Sequence, residues 1–232
     1  MRIYISSDEH LSFDHRQVVE DFMEEAMEKA DIYLCLGDRY DAVRYGWDAI
    51  KRSDVVGRDI YMLANLVDRV EVILIEGNHD WGLWKQYLVP DGVKVCRSCT
   101  IQDGKRTYYC THGWEYDWTL SWTRSFYSKV FGWLPQFAWI YDKFFATPGK
   151  LKKREPDLLY WKSVLHIDKE AMIEAIKRKA VVLYGHSHNR GVWRLEGNIT
   201  INAGTALEPG RYGVILEDGK PRLWKHPSTS TT

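Results

Sequence analysis

Short apolar runs alternate with amphipathic stretches along the first half of the chain. Over residues 15–30 and 55–67, apolar residues recur three and four positions apart with acidic and polar residues between them, and this spacing predicts two helices. Short uninterrupted apolar runs before and after these helices predict β-strands. Strands that alternate with helices are typical of an α/β fold. The five strands that carry the later argument are predicted at residues 3–5, 32–36, 70–75, 107–110 and 181–184.

The chain after the last of these strands has the pattern of β-hairpins. Pairs of apolar runs flank two turns, at Gly197 and Gly219. We therefore predict a four-layer α/β/β/α sandwich, in which two mixed sheets pack together and helices cover both outer faces. We assign residues 1–226 to a single domain, residues 114–160 to a helical, aromatic-rich insert within it, and residues 227–232 to a disordered tail. The hairpin strands are predicted at residues 192–195, 199–202, 212–216 and 222–225.

Acidic and imidazole side chains follow the carboxyl ends of all five strands. Side chains just beyond such strand ends converge, because neighbouring strands of a layered α/β fold share one edge where the loops carry function. An assembly of Asp, His and Asn side chains offers enough oxygen and nitrogen ligands for two divalent metal ions. Two such ions can activate a water molecule to attack a phosphate ester. The blocks, in chain order, are Asp8-Glu9-His10, Gly37-Asp38, Gly77-Asn78-His79-Asp80, His112-Gly113 and Gly185-His186-Ser187-His188.

These blocks, in this order, resemble the motifs of the calcineurin-like metallophosphoesterases over about residues 3–205. The resemblance implies two divalent metal ions with one carboxylate between them, because a bridging ligand must reach both ions. A ligand set of nitrogen and oxygen atoms without sulfur suits Mn²⁺, Fe, Zn²⁺ or Co²⁺ without choosing among them, and Mn²⁺ is the metal we expect first. The family pattern assigns Asp38 to the bridge, Asp8, His10 and His188 to the first metal, and Asn78, His112 and His186 to the second.

Two residues of the third block remain for proton transfer. His79 would donate a hydrogen bond to the phosphoryl oxygen or protonate the leaving group. Asp80 would orient the His79 ring, as an acid partner does in a catalytic triad, and would also fit an N-cap of the following helix. Asp41 is either an acceptor for a ligand imidazole or a solvated loop acid. Arg190, just beyond the last block, is a weaker candidate for holding the phosphate.

The spacing within the blocks also predicts their local geometry. Asp8 and His10 are two residues apart, so in an extended segment their side chains would point the same way and Glu9 would point away. Gly77 and Gly185 are expected to form tight turns where the backbone leaves a strand.

The insert is the most aromatic part of the chain. Residues 114–145 contain thirteen Trp, Tyr and Phe residues, and a basic stretch follows at residues 150–154. Such a stripe is either ordinary core, a lid over the metals, or a peripheral membrane contact through residues 114–154. The insert and the His-Gly block resemble the UDP-2,3-diacylglucosamine hydrolases, which cleave a diphosphate of a lipid-linked nucleotide sugar. Those enzymes typically have Arg where this chain has His79, and the His form is the general phosphoesterase pattern.

The charge balance of the sequence bears on which partners the protein could bind. Lys plus Arg and Asp plus Glu both number 32, so no net charge favours nucleic acid, and a nuclease is disfavoured. Because the sequence shows neither a secretory signal pattern nor an apolar run of about 18 residues, we expect a cytoplasmic protein, with peripheral membrane contact as the alternative. We predict a dinuclear metal-dependent hydrolase of a phosphate ester or diphosphate, whose substrate is either lipid-linked or a soluble nucleotide or phosphoester. A non-catalytic binding subunit with this fold is the competing hypothesis.

Overall fold

Two β-sheets form the centre of the fold in the computed structural model of this chain. The first sheet has the strand order β11-β10-β1-β2-β3-β4; β1 to β4 are parallel, and β10 and β11 are antiparallel to their neighbours. Its strands are β1 (Arg2–Ser6), β2 (Ile32–Cys35), β3 (Glu71–Ile75), β4 (Lys94–Cys96), β10 (Val214–Glu217) and β11 (Lys220–Leu223). The structure describes residues 1–86, 88–117, 158–208, 210 and 212–226.

The second sheet has the strand order β5-β6-β7-β9-β8. Strands β6, β7 and β9 are parallel, whereas β5 and β8 pair antiparallel at the two edges, so this sheet is mixed as well. Its strands are β5 (Ser98–Asp103), β6 (Arg106–Thr111), β7 (Val181–Tyr184), β8 (Gly191–Leu195) and β9 (Asn198–Asn202).

Side chains alternate between the two faces of β1, as the twofold period of a strand requires. Ile3 and Ile5 point between the sheets, where they join a buried cluster with Leu183 and Ile201 of the second sheet. Tyr4 points the opposite way and packs on Phe22, with the ring centroids 5.3 Å apart. The helices are α1 (Gln17–Lys29), α2 (Ala42–Tyr45), α3 (Trp47–Ile50), α4 (Asp54–Val67) and α5 (Leu158–Arg178), with 3₁₀ helices at Leu83–Lys85 and Trp114–Tyr116.

Helices cover the outer face of each sheet. Phe22 of α1 and Leu63 of α4 belong to the core on the outer face of the first sheet. On the other side, Ala171 and Ala175 of α5 pack against Tyr184 of the second sheet. The order of layers is therefore helix, sheet, sheet, helix, which confirms the predicted four-layer α/β fold.

The predicted strand positions agree closely with the observed ones. The five strands that precede the polar blocks differ by at most one residue at each end, whereas the last hairpin shifts by up to two residues. Tyr212, predicted to open that hairpin, instead forms an isolated bridge with Gly204. Residues 118–157 of the proposed insert and the proposed tail at 227–232 lie outside the described residues. Within the described part of the chain, no helix combines the length and apolarity needed to cross a bilayer.

Candidate metal centre

The proposed ligands lie on loops with unusual backbone geometry. Five of them have a positive φ, a region that costs a non-glycine residue energy and that is concentrated at functional sites. The expectation of an extended segment around Asp8 and His10 is therefore wrong, because both have left-handed backbone conformations. Their side chains nonetheless converge on one place, as the next contacts show. The φ values are 54° for Asp8, 48° for His10, 55° for Asp38, 64° for His186 and 55° for His188.

The three residues proposed for the first metal lie together. One ligand atom from each of Asp8, His10 and His188 lies within 4.8 Å of the other two. Nε2 of His188 is 3.1 Å from Oδ1 of Asp8, and Nε2 of His10 is 3.9 Å from the same oxygen. Asp8 Oδ1 and His10 Nε2 are buried, and neither makes a hydrogen bond of good geometry to a described residue, since the 3.1 Å approach of His188 to Asp8 Oδ1 is not aligned as one. Because buried polar atoms almost always have a partner, this pair fits a bound cation.

The residues proposed for the second metal also converge. Asp38, His112 and His186 form a group with ligand atoms within 4.8 Å of one another. His112 Nε2 lies 3.3 Å from Oδ2 of Asp38 and 3.1 Å from Oδ1 of Asn78. The other ring nitrogen of His112, Nδ1, lies 2.8 Å from the main-chain oxygen of Leu36. That contact holds the ring so that Nε2 faces the site, as the outer partner of a metal-binding histidine does.

Asp38 lies between the two groups. Its Oδ2 is 3.3 Å from His112 Nε2 and 3.9 Å from His10 Nε2, so one carboxylate oxygen approaches ligands of both proposed sites. Burial alone would raise the pKa of the Asp38 carboxyl, but His112 and His79 outweigh it and hold that pKa well below its usual range. Asp38 is thus an ionised, buried carboxylate in the position that a bridging ligand needs.

Two glycines permit this close packing of the ligand loops. A Cβ at Gly77 would lie 2.0 Å from Oδ1 of Asp38, and a Cβ at Gly185 would lie 1.8 Å from the Ser7 hydroxyl and 2.7 Å from Oδ2 of Asp8. Neither glycine has a positive φ. The requirement for glycine is therefore steric, since any larger residue would displace a proposed ligand. Gly185 also opens a tight turn, as expected, because the main-chain N–H of Ser187 donates to its carbonyl oxygen at 2.7 Å.

His79 is oriented by Asp41 and not by Asp80. Nδ1 of His79 lies 2.8 Å from Oδ1 of Asp41. Burial would lower the pKa of His79, but Asp38 and Asp41 outweigh burial and raise it to about 9. The Asp80 carboxylate instead accepts hydrogen bonds from the main-chain N–H groups of Gly77 at 2.6 Å and Arg39 at 2.8 Å. The proposed contact between Asp80 and the His79 ring is therefore wrong, and Asp80 holds two ligand loops together.

The position of His79 also fits a metal ligand. One of its ring nitrogens lies within 4.8 Å of ligand atoms of His10 and Asp38, and its ring stacks edge-on against His10 with centroids 4.7 Å apart. The geometry alone therefore allows either a metal ligand or a proton donor at this position. The metal content of a His79 variant separates the two roles, as described in the Discussion.

A buried ion cluster lies beneath the ligand loops, and the sequence patterns do not predict it. Arg39 is fully buried and donates to both carboxylate oxygens of Asp59, the Nε contact being 2.9 Å long. Its Nη1 also donates to Glu9 at 3.2 Å. Glu9 lies between Asp8 and His10, and Arg39 directly follows Asp38. The cluster therefore ties the two loops that carry three of the proposed ligands.

Two more carboxylates support the last histidine pair, and they too were missed. Asp117 Oδ2 lies 3.2 Å from Nε2 of His186. Asp168 of α5 accepts hydrogen bonds from Tyr184 at 2.6 Å and Asn189 at 3.0 Å, on either side of the His186–His188 loop. Only spatial proximity identifies these residues, because they are distant from the blocks in sequence or outside any motif.

Arg190, the weaker candidate for holding the phosphate, contacts main-chain oxygens. Its Nη1 donates to the main-chain oxygens of Tyr212 and Trp224, each at 2.9 Å. The guanidinium therefore ties the last ligand loop to the two ends of the C-terminal hairpin, which gives Arg190 a structural role.

The family model of the calcineurin-like phosphoesterases matches residues 1–200. Because this match covers most of the chain, the protein belongs to the calcineurin-like phosphoesterase family. Membership supports a phosphoester hydrolase that uses divalent metals, in agreement with the clustered candidate ligands. No curated protein matches the chain in sequence.

Solved structures share the fold. An archaeal phosphodiesterase is 16% identical, with 96% of this chain and 98% of that chain covered and a TM-score of 0.51. Yfce, a phosphoesterase from E. coli, is 15% identical, with 99% of this chain and 96% of that chain covered and a TM-score of 0.55. At these identities the likeness shows the fold alone.

Proposed function

We propose that this protein is a dinuclear metal-dependent phosphoesterase that hydrolyses a phosphate ester or diphosphate bond. The observation that carries the proposal is the placement of Asp38 between two groups of candidate ligands. In this proposal the Asp38 carboxylate would bind both metals. The other ligands of the first metal would be Asp8, His10 and His188, and those of the second would be Asn78, His112 and His186.

Different side chains of the protein have different roles in the proposed reaction. Two bound cations would neutralise the phosphate charge and supply a hydroxide nucleophile at neutral pH. We assign to His79 the hydrogen bond to the phosphoryl oxygen or the proton for the leaving group. Asp41, 2.8 Å from Nδ1 of His79, holds the ring and favours its protonated form. The ligand set contains only nitrogen and oxygen atoms, which suits Mn²⁺, Fe, Zn²⁺ or Co²⁺, and we propose Mn²⁺ first.

The proposal is tested with bis-p-nitrophenyl phosphate as substrate. Hydrolysis is expected with Mn²⁺ present, lost after chelation, and restored when Mn²⁺ is returned. Turnover that survives complete removal of metal would contradict the metal-dependent mechanism. A protein that binds two metals but hydrolyses no ester in a broad screen would instead be a non-catalytic binding subunit.

The finer substrate assignment rests on the sequence of the insert. We propose a lipid-linked nucleotide such as UDP-2,3-diacylglucosamine as substrate, with residues 114–160 as a lid or residues 114–154 as a peripheral membrane contact. Trp118→Ala and Trp122→Ala are then expected to weaken turnover of a long-chain substrate far more than turnover of p-nitrophenyl phosphate, because only the long chain gains from apolar burial. Equal losses on both substrates would leave the general phosphodiesterase or phosphatase assignment alone.

A further inference from the structure

Two tryptophans from the loops that carry Asn78 and His112 contact each other. Trp81 directly follows Asp80, and Trp114 follows His112 by two residues. Their ring centroids are 5.6 Å apart and their planes are nearly perpendicular, at 79°. The two loops that carry these tryptophans also contact each other at the proposed metal centre, where His112 Nε2 lies 3.1 Å from Asn78 Oδ1. Trp81 is three residues from the proposed ligand Asn78, so their Cα atoms are at most about 10 Å apart.

A cation lies over one of these rings. The guanidinium carbon of Arg97 is 4.3 Å from the ring centroid of Trp81, and its Nε is 4.0 Å from a carboxylate oxygen of Glu76. The Arg97 side chain is 70% exposed, and Trp81 is 38% exposed. Arg97 is the single residue between β4 and β5, so its backbone is fixed by both sheets. The result is a partly exposed indole ring, backed by a positive charge, on a loop that carries a proposed metal ligand.

We propose that Trp81, Trp114 and Arg97 form a subsite that stacks the base of a nucleotide substrate. This proposal rests on the proposed phosphoesterase function. An indole ring stacks on any nucleobase, and a guanidinium adds a cation–π contact and can pair with a phosphate oxygen. An acyl chain would gain little here, because it needs continuous apolar surface and the exposed Arg97 guanidinium lies over the Trp81 ring. The ligand class is therefore a nucleoside phosphate, in its simplest form a nucleoside 5′-monophosphate ester.

The test compares two substrates that share a leaving group. Thymidine 5′-(p-nitrophenyl phosphate) and ethyl p-nitrophenyl phosphate both release p-nitrophenol, so the ratio of their kcat/KM values isolates the contribution of the nucleoside. Trp81→Ala is expected to lower this ratio by roughly 5- to 150-fold, the range that corresponds to the usual strength of base–aromatic stacking. Trp81→Phe is expected to keep most of the ratio, because it retains a ring. Tyr61→Ala, which removes a 69% exposed aromatic of the outer helix α4, is the matched control and should leave the ratio unchanged.

Binding provides a readout that does not depend on turnover. Calorimetry with thymidine 5′-monophosphate should show a Kd for Trp81→Ala that is weaker by the same roughly 5- to 150-fold, while Trp81→Phe stays near the unmodified protein. Circular dichroism and metal content show whether each variant is folded and loaded. An unchanged ratio together with an unchanged Kd in folded Trp81→Ala would overturn the subsite. Failure of the unmodified protein to hydrolyse either ester would overturn the proposed function, and calorimetry would still decide the subsite.

Discussion

Arg39 offers a sharp test of how the ligand loops are held. Arg39→Met would leave Glu9 and Asp59 buried without their cation, since Arg39 is fully buried and is paired with both. Removing one partner of a buried pair usually costs about 3–5 kcal/mol, because the other charge stays desolvated. That is a large part of the roughly 5–15 kcal/mol that stabilises a typical domain.

The assay is urea unfolding with a matched control. With a slope of about 1–3 kcal/mol per molar urea, the expected loss moves the midpoint of Arg39→Met by about 1 M or more. Lys94→Met removes the cation of an exposed pair with Glu71, and an exposed pair contributes about 0–1 kcal/mol. A midpoint for Arg39→Met equal to that of Lys94→Met would refute the reasoning. Arg39→Lys is expected to fall between them, because it keeps the charge but loses the fork that reaches Asp59 twice.

Further predictions concern the ligand loops. His79→Ala should keep both metals and lose about 10²–10⁴-fold in kcat, as measured by elemental analysis and steady-state kinetics; loss of metal in step with activity would make His79 a ligand. Gly77→Ala should lower metal content and activity, because the new Cβ would lie 2.0 Å from Oδ1 of Asp38. Its control is Gly57→Ala in α4, where a new Cβ meets nothing within 4 Å, so a Gly77→Ala variant with metal content as high as that of Gly57→Ala would contradict the steric argument.

The fold could be predicted because its signals are local. Apolar runs and helical spacing are properties of neighbouring residues, and the five strands before the blocks agree within one residue with the structure. The pairing of β10 with β1 joins Val214 to Ile5, which are far apart in sequence. No local pattern specifies such a partner, so only the layered architecture could be expected in advance.

The ligands of the candidate site could be predicted from the sequence, but the residues that orient and support them could not. Its ligand types follow strand ends, which is a local signal, and the structure brings the seven proposed ligands together. The orientation of His79 was not predictable, because Asp41 and Asp80 are both nearby acids and only the loop geometry chooses Asp41. Arg39 and Asp59 were missed for the same physical reason: their partners are set by tertiary packing and not by spacing.

The most direct test of the two-metal centre is the metal content of the protein after saturation with Mn²⁺ and removal of the excess. Elemental analysis should give two ions per chain for the unmodified protein and clearly fewer for Asp38→Ala, with hydrolysis of bis-p-nitrophenyl phosphate abolished, because Asp38 approaches ligands of both sites. Circular dichroism confirms that the variant is folded. Two ions per chain in Asp38→Ala, or fewer than two in the unmodified protein, would contradict the account.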